Sequence, residues 1–210
     1  MRQHCMTIAC FGLALFSVSV EAETLIDEWA NAKVPPPPQL RQATIIAKET
    51  AILAMDFTNQ TCTTARRPRC AQSVPKVLGL VTQARSQGAL IIYSVAVPGS
   101  VPSDVLKEMT PVTGETVLPP LGPDKFIASD LETMLKDKGI KTVVTMGTQA
   151  QTSVLHTASA AALRGFKVVV PVDGMSADDV FPELYTAWHL ANAARISPQV
   201  TLTKFEMIGF

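Results

Sequence analysis

The chain has 210 residues, enough for one domain or at most two small ones, and its 18 Lys plus Arg balance 18 Asp plus Glu. A neutral chain lacks the basic excess with which general nucleic-acid binders displace counterions from phosphates, so no nucleic-acid partner is expected. With 47% hydrophobic and 17% charged residues it can bury a core, while four cysteines without zinc-ribbon spacing exclude a disulfide scaffold.

At the N-terminus, Arg2 is followed by an apolar run from Met6 to Val20, and Val20-Glu21-Ala22 places small residues at −3 and −1 of a cleavage site. This pattern predicts a secretory signal peptide over residues 1–22, cleaved after Ala22, and a periplasmic or secreted mature chain. The apolar run is short for a membrane span, so no membrane partner is expected after cleavage. An uncleaved N-terminal anchor is the alternative. Cleavage removes Cys5 and Cys10 and leaves Cys62 and Cys70, eight positions apart. In an oxidising compartment that even pair reads as one local disulfide.

Residues 23–49 read as an N-terminal arm outside the core, with a helical stretch from Glu23 to Ala32 and a stiff polyproline II spacer, Pro35 to Pro38. The domain proper is expected over 50–210. Thr50 to Phe57 (TAILAMDF) is short and apolar without alternation, which suits a strand buried on both faces. Ser73 to Gln87 carries Val74, Val77, Leu78, Val81 and Ala84 on one helical face, with Pro75 in the first turn. Ala89 to Val97 is a second strand. The stretch 100–123 is loop-rich, with a short helix expected over Ser103 to Met109. Then come a helix over Ser129 to Lys138 closed by Gly139, and a strand over Lys141 to Met146. A helix over Gln151 to Arg164 is closed by Gly165, and a strand follows over Lys167 to Val172. The chain ends with a helix over Ala177 to Ala194 and a last strand over Val200 to Phe205. This alternation predicts a three-layer α/β/α fold around a central parallel sheet of five or six strands, joined by right-handed crossovers. Ligands bind such sheets at the carboxyl ends of strands, which singles out Asp56, Ser94 to Gly99, Gly147 to Ser153, and Asp173.

Three segments together resemble the isochorismatase-like, or cysteine hydrolase, family. In TAILAMDF, Asp56 matches the family's catalytic aspartate at the end of the first strand. In LPPLGPDKFIASDLETMLKDKGIKTVVTMG, Lys125 matches the catalytic lysine. GTQAQTSVLHTASAAALRGFKVVVPVDGMS is similar to the nucleophile loop and helix, with Thr157-Ala158, Ala161, Gly165 and Asp173 in the expected places. The departures are specific. Where the family reads G-x-x-T-D-x-C-V-x-x-T-A, Ser153 stands in place of the nucleophilic cysteine, and Ala150 and Gln151 replace Thr-Asp. The D-x-H pair of the metal-binding nicotinamidase branch is replaced by Tyr93-Ser94-Val95-Ala96, so neither metal nor cofactor is expected.

The resemblance implies a small-molecule substrate and leaves homo-oligomerisation open. It also implies a non-proline cis peptide at Thr148–Gln149, with the Gln149 and Ser153 backbone N–H groups directed at a substrate oxygen. Three functions follow. The first is a hydrolase that cleaves a vinyl ether or C–N bond with Asp56 and Lys125. The second is a pseudoenzyme that binds a ligand without turnover. The third is an amidase with Ser153 as nucleophile. A serine hydroxyl is a poorer nucleophile than a thiol and needs a stronger base than an aspartate ion-paired to a lysine. Vinyl ether cleavage, with an aspartate as proton donor and water as attacker, needs no nucleophile at 153.

Other residues carry weaker signals. His156 is expected to pack behind its helix and His189 to be a surface or packing residue. Arg66, Arg67 and Arg69 read either as a cationic rim for an anionic substrate or as a solvated charge run. Asp173 reads as a loop or cap residue, and Met55, Met134, Met146 and Met175 as core filler.

Overall fold

The computed structural model describes residues 24–210; the expected signal peptide over 1–22 lies outside the described residues. Two units are distinguished, residues 1–35 and residues 36–210. In the first, the expected helix over Glu23 to Ala32 shrinks to a single turn, α1 (Leu25–Glu28), with no buried residue. Thr24 and Asp27 form a capping box at its start. A helix this short has little to offset its nucleation cost without packing.

In the second unit, β1 (Ala43–Thr44) precedes β2 (Thr50–Met55), and the helix α2 (Pro68–Ser86) leads to β3 (Leu90–Ser94) and β4 (Thr116–Leu118). Next come α3 (Leu131–Asp137), β5 (Thr142–Thr148) and α4 (Leu155–Leu163). The chain finishes with β6 (Lys167–Pro171), β7 (Met175–Ser176), α5 (Val180–Asn192), β8 (Val200–Thr203) and β9 (Ile208–Gly209). The main sheet runs β4-β3-β2-β5-β6-β8, with β7 added to β5, and each of its pairings is parallel. The expected five or six strands therefore become six plus the two-residue β7.

Burial on both faces explains the non-alternating runs. Along β2, Ala51, Leu53 and Met55 join one apolar cluster with Leu131, Leu135, Ala158, Ala161 and Leu190 from α3, α4 and α5. Ile52 and Ala54 point the other way, against Val74, Val77, Leu80, Val81 and Ala84 of α2. Strand order reverses between β2 and β5. The chain steps outward through β3 and β4 and returns to pair β5 on the other side of β2. The crevice beyond the carboxyl ends of β2 and β5 is thus the switch point where such sheets bind ligands.

Several of the departures from expectation have identifiable reasons. The arm does not remain outside as a whole: Ala43, Ile45 and Ala47 are buried, and β1 pairs with β9. The helix α2 begins at Pro68, a residue suited to a first turn, so Pro75 lies inside the helix and not at its start. Its first turn is anchored through the buried Cys70, which apolar periodicity beginning at Val74 does not reveal. The short helix over Ser103 to Met109 is two 3-10 turns, Pro102–Asp104 and Lys107–Met109. The edge strand β4, three residues long, gave too short a pattern to register. Among the described residues no helix is long and apolar enough to cross a membrane.

Cys62 and Cys70 form the expected disulfide, with a Cα–Cα distance of 5.3 Å. On the chain-entropy model, closing so short a loop contributes about 2–3 kcal/mol. Denaturant titration of the Cys62→Ser/Cys70→Ser variant against the oxidised protein should show a stability loss of about that size. An unchanged midpoint would contradict it.

Candidate active site

Asp56 follows β2 directly and is fully buried at φ 60, a left-handed conformation that is costly for a residue with a side chain. Its backbone is held there on both sides: Asp56 N donates to Ser94 O at 3.0 Å, and Thr61 Oγ1 donates to Asp56 O. The turn sets the carboxylate at the carboxyl ends of β2 and β5, against Ser94, Ser153 and Lys125. Oδ1 accepts from Ser94 Oγ at 2.6 Å. Oδ2 accepts from Ser153 Oγ and lies 3.1 Å from Lys125 Nζ. Asp56, Lys125 and Ser153, separated by up to 97 positions in sequence, therefore meet at one carboxylate oxygen.

Lys125 comes from the loop between β4 and α3, and its side chain is 2% exposed. Burying an ammonium is expensive unless its charge and protons are matched. Here Nζ also donates to Gly122 O at 3.1 Å. The loop is pinned to α4 by Thr157, whose Oγ1 accepts from Lys125 N at 3.2 Å and donates to Pro123 O at 3.2 Å. Ser129 Oγ donates to Lys125 O at 2.6 Å.

Ser153 is delivered by the turn after β5. Gly147 sits at φ 146, and a Cβ there would lie 2.1 Å from Met55 O, so only glycine lets β5 run this close to β2 at its end. The Thr148–Gln149 peptide is cis. A π turn, Ala150–Val154, then opens α4, with Thr152 N and Val154 N both donating to Gln149 O at 3.2 and 3.3 Å. Among the described residues no acceptor takes the Gln149 N–H.

The other sequence candidates separate from this cluster. The three arginines do not form a common rim, because each finds its own acceptor. Arg67 is buried and ion-paired to Asp178, Arg69 pairs with Glu183, and Arg66 donates to Gln60 O. Asp173 is a loop residue whose Oδ1 accepts from Phe205 N at 3.1 Å. His156 is exposed and, with His189, lines a groove of about 510 Å³ between α4 and α5. Met55, Met146 and Met175 are buried core residues. Sequence reasoning gave no role to Ser94, Thr61 or Thr157. Ser94 was within reach of the strand-end rule, whereas nothing in the sequence pairs Thr61 with the Asp56 carbonyl.

Chemically, a buried carboxylate that shares one oxygen with a lysine and a hydroxyl can transfer a proton, while the lysine balances its charge. At the position of the missing D-x-H pair stands Ser94, committed to Asp56. Among the described residues no three His, Cys, Asp or Glu side chains cluster as a metal site would require.

A three-layer parallel α/β fold with such a cluster at the carboxyl ends of its central strands places these side chains where sheets of this class bind ligands. The isochorismatase domain model matches residues 50–202, and the chain belongs to the isochorismatase family. It is 29% identical over 117 residues to the secreted isochorismatase effector Isc1 of Verticillium dahliae, a match covering 51% of this chain and 62% of that protein. The match thus spans less than two thirds of the relative's length. The fold is shared with an isochorismatase family protein from Desulfovibrio vulgaris (TM-score 0.67, 20% identity, covering 75% of this chain and 95% of the other). It is shared likewise with N-carbamoylsarcosine amidase from Thermoplasma acidophilum (TM-score 0.64, 22% identity, covering 75% and 97%).

Proposed function

We propose that this chain is a secreted or periplasmic, metal-independent hydrolase of a small molecule, with Asp56 and Lys125 as its working pair and a vinyl ether as the favoured substrate bond. The observation that carries the reading is the shared oxygen, Asp56 Oδ2, which both Lys125 and Ser153 reach. In the reaction, the Asp56 carboxyl gives its proton to the terminal vinyl carbon. Water adds to the resulting oxocarbenium carbon, and its released proton returns to the Asp56 carboxylate. The hemiketal then collapses to a carbonyl compound and an alcohol. Lys125 stabilises the carboxylate that proton donation leaves behind, and Ser94 orients it. The Gln149 and Ser153 N–H groups are assigned to the substrate oxygen. Secretion is supported by the signal-like N-terminus and by the description of the Verticillium relative. Hydrolysis of a C–N bond is the alternative chemistry at the same pair, supported by the fold shared with the amidase.

A screen of purified protein against isochorismate-like vinyl ethers, amides and ureas tests the reading. Turnover of a vinyl ether supports it, and Ser153→Ala should then lower kcat by at most about 100-fold and leave turnover measurable, since only one hydrogen bond to the carboxylate is lost. Turnover of an amide or urea that Ser153→Ala abolishes would instead make the hydroxyl a nucleophile and the enzyme an amidase. A second reading is favoured by one observation: the Ser153 hydroxyl and Lys125 already occupy the carboxylate oxygen that a substrate would need. A protein that binds these compounds calorimetrically, turns none over, and gains amidase activity with Ser153→Cys would be a binding protein derived from an enzyme.

A further inference from the structure

Of the three arginines in the Cys62–Cys70 loop only Arg67 is buried, its side chain 2% exposed. A buried guanidinium is tolerated when its charge and its donors are met. Nε lies 2.7 Å from Asp178 Oδ1, an ion pair without hydrogen-bond alignment. NH1 donates to Thr61 O at 2.8 Å. Each of these acceptors leads on to the candidate site. Asp178 Oδ2 accepts from Gln149 Nε2 at 2.9 Å, and Gln149 precedes the π turn that carries Ser153. Thr61 Oγ1 donates to the carbonyl of Asp56, the residue held at φ 60. One guanidinium thus braces both backbone segments whose side chains meet at Asp56 Oδ2. The planar fork holds its nitrogens in a fixed geometry, so Nε and NH1 address two separate segments at once, whereas a lysine brings a single ammonium on a flexible stem.

We infer that Arg67, acting with Asp178, is a positioning residue that holds the Gly147–Ser153 turn and the Asp56 backbone in register from within the disulfide-closed loop. This rests on the reading of Asp56, Lys125 and Ser153 as the working site. Arg67 acts through Thr61, Asp178 and Gln149, so its removal loosens geometry without removing a reacting group. Misplacement of about an ångström in such a site costs up to about 100-fold in rate.

The test needs no substrate. In the full-length oxidised protein carrying Ser153→Cys, the rate of iodoacetamide alkylation at position 153 is followed across pH by peptide mass spectrometry. The thiol reacts as thiolate, so its rate and pH profile report its placement beside Lys125 and Asp56. Adding Asp178→Ala or Arg67→Lys should change the rate by about tenfold or more and shift the profile. The Asp178 side chain is 57% exposed, so Asp178→Ala removes no core packing and decides the matter if Arg67→Lys does not fold. A lowered melting temperature with an unchanged rate and profile would make Arg67 purely structural and overturn the inference. Lys125→Met in the same background separates the two claims. If it shifts the profile and Asp178→Ala does not, the positioning role fails while the site stands. If Lys125→Met shifts nothing, the site reading itself fails.

Discussion

Asp56→Asn is expected to lower turnover by at least about 100-fold and up to about 10⁴-fold, the range for removing a general acid or base. The amide preserves the shape of the side chain and can still meet Ser94, but it cannot give and recover a proton in the same way. The substitution carries a second consequence. Lys125 Nζ lies 3.1 Å from the lost carboxylate oxygen in a place 2% exposed, so its charge becomes buried without a counter-charge. Breaking a buried pair from one side costs about 3–5 kcal/mol, whereas replacing both partners by apolar groups is often neutral. The variant Asp56→Asn/Lys125→Met should therefore recover much of the stability lost by Asp56→Asn and none of the activity. Urea denaturation and steady-state assays on the single and double variants check both parts. Activity retained in Asp56→Asn, or a double variant no more stable than the single, would contradict the assignment.

Gly147→Ala should be the most damaging single-methyl change in the chain outside the cluster itself. The new Cβ would sit 2.1 Å from Met55 O and 2.9 Å from Met55 C, and both are backbone atoms of the central strand β2. No rotamer change relieves that contact, and φ 146 is unfavourable for any side chain. Relief requires β5 to separate from β2 at the point where Asp56 and the Ser153 turn face each other. A loss above about 4 kcal/mol is expected, enough to leave much of the protein unfolded or insoluble. Gly79→Ala is the matched control. Gly79 lies inside α2 with nothing within 4 Å of an added Cβ, so the change should stabilise the helix by up to about 1 kcal/mol. Soluble expression and thermal melting of the two variants decide this. A Gly147→Ala protein that melts like the wild type would show the turn to be more accommodating than its geometry implies.

The parallel α/β architecture was legible because its causes are local. Apolar runs such as Thr50–Met55 and Thr142–Thr148 alternate with stretches of helical period, and glycines at 139 and 165 close two helices at φ 67 and 88. Asp56 and the Gly147–Ser153 turn were legible for a related reason. The rule that strand ends hold ligands depends only on where strands stop, and the family resemblance added Lys125. Local pattern carries no information about which distant groups share a proton or a charge. Nothing in the run Arg66, Arg67, Arg69 says that one guanidinium is buried beside Asp178 while Arg69 pairs half-buried with Glu183 and Arg66 stays exposed. That outcome depends on α5 and the turn after β7 folding over the disulfide loop. In the same way, the hydroxyls of Ser94 and Thr61 and the brace of Thr157 on the Lys125 loop became visible only through tertiary contacts. The sequence by itself determined the alternating layers and placed Asp56 among the strand-end candidates, because hydrophobic period and turn chemistry act over a few residues, and the family resemblance then pointed to Asp56 as the central carboxylate. The partners of that carboxylate were decided by packing between segments up to 97 residues apart, where burial makes each unmatched polar group expensive and so selects one arrangement.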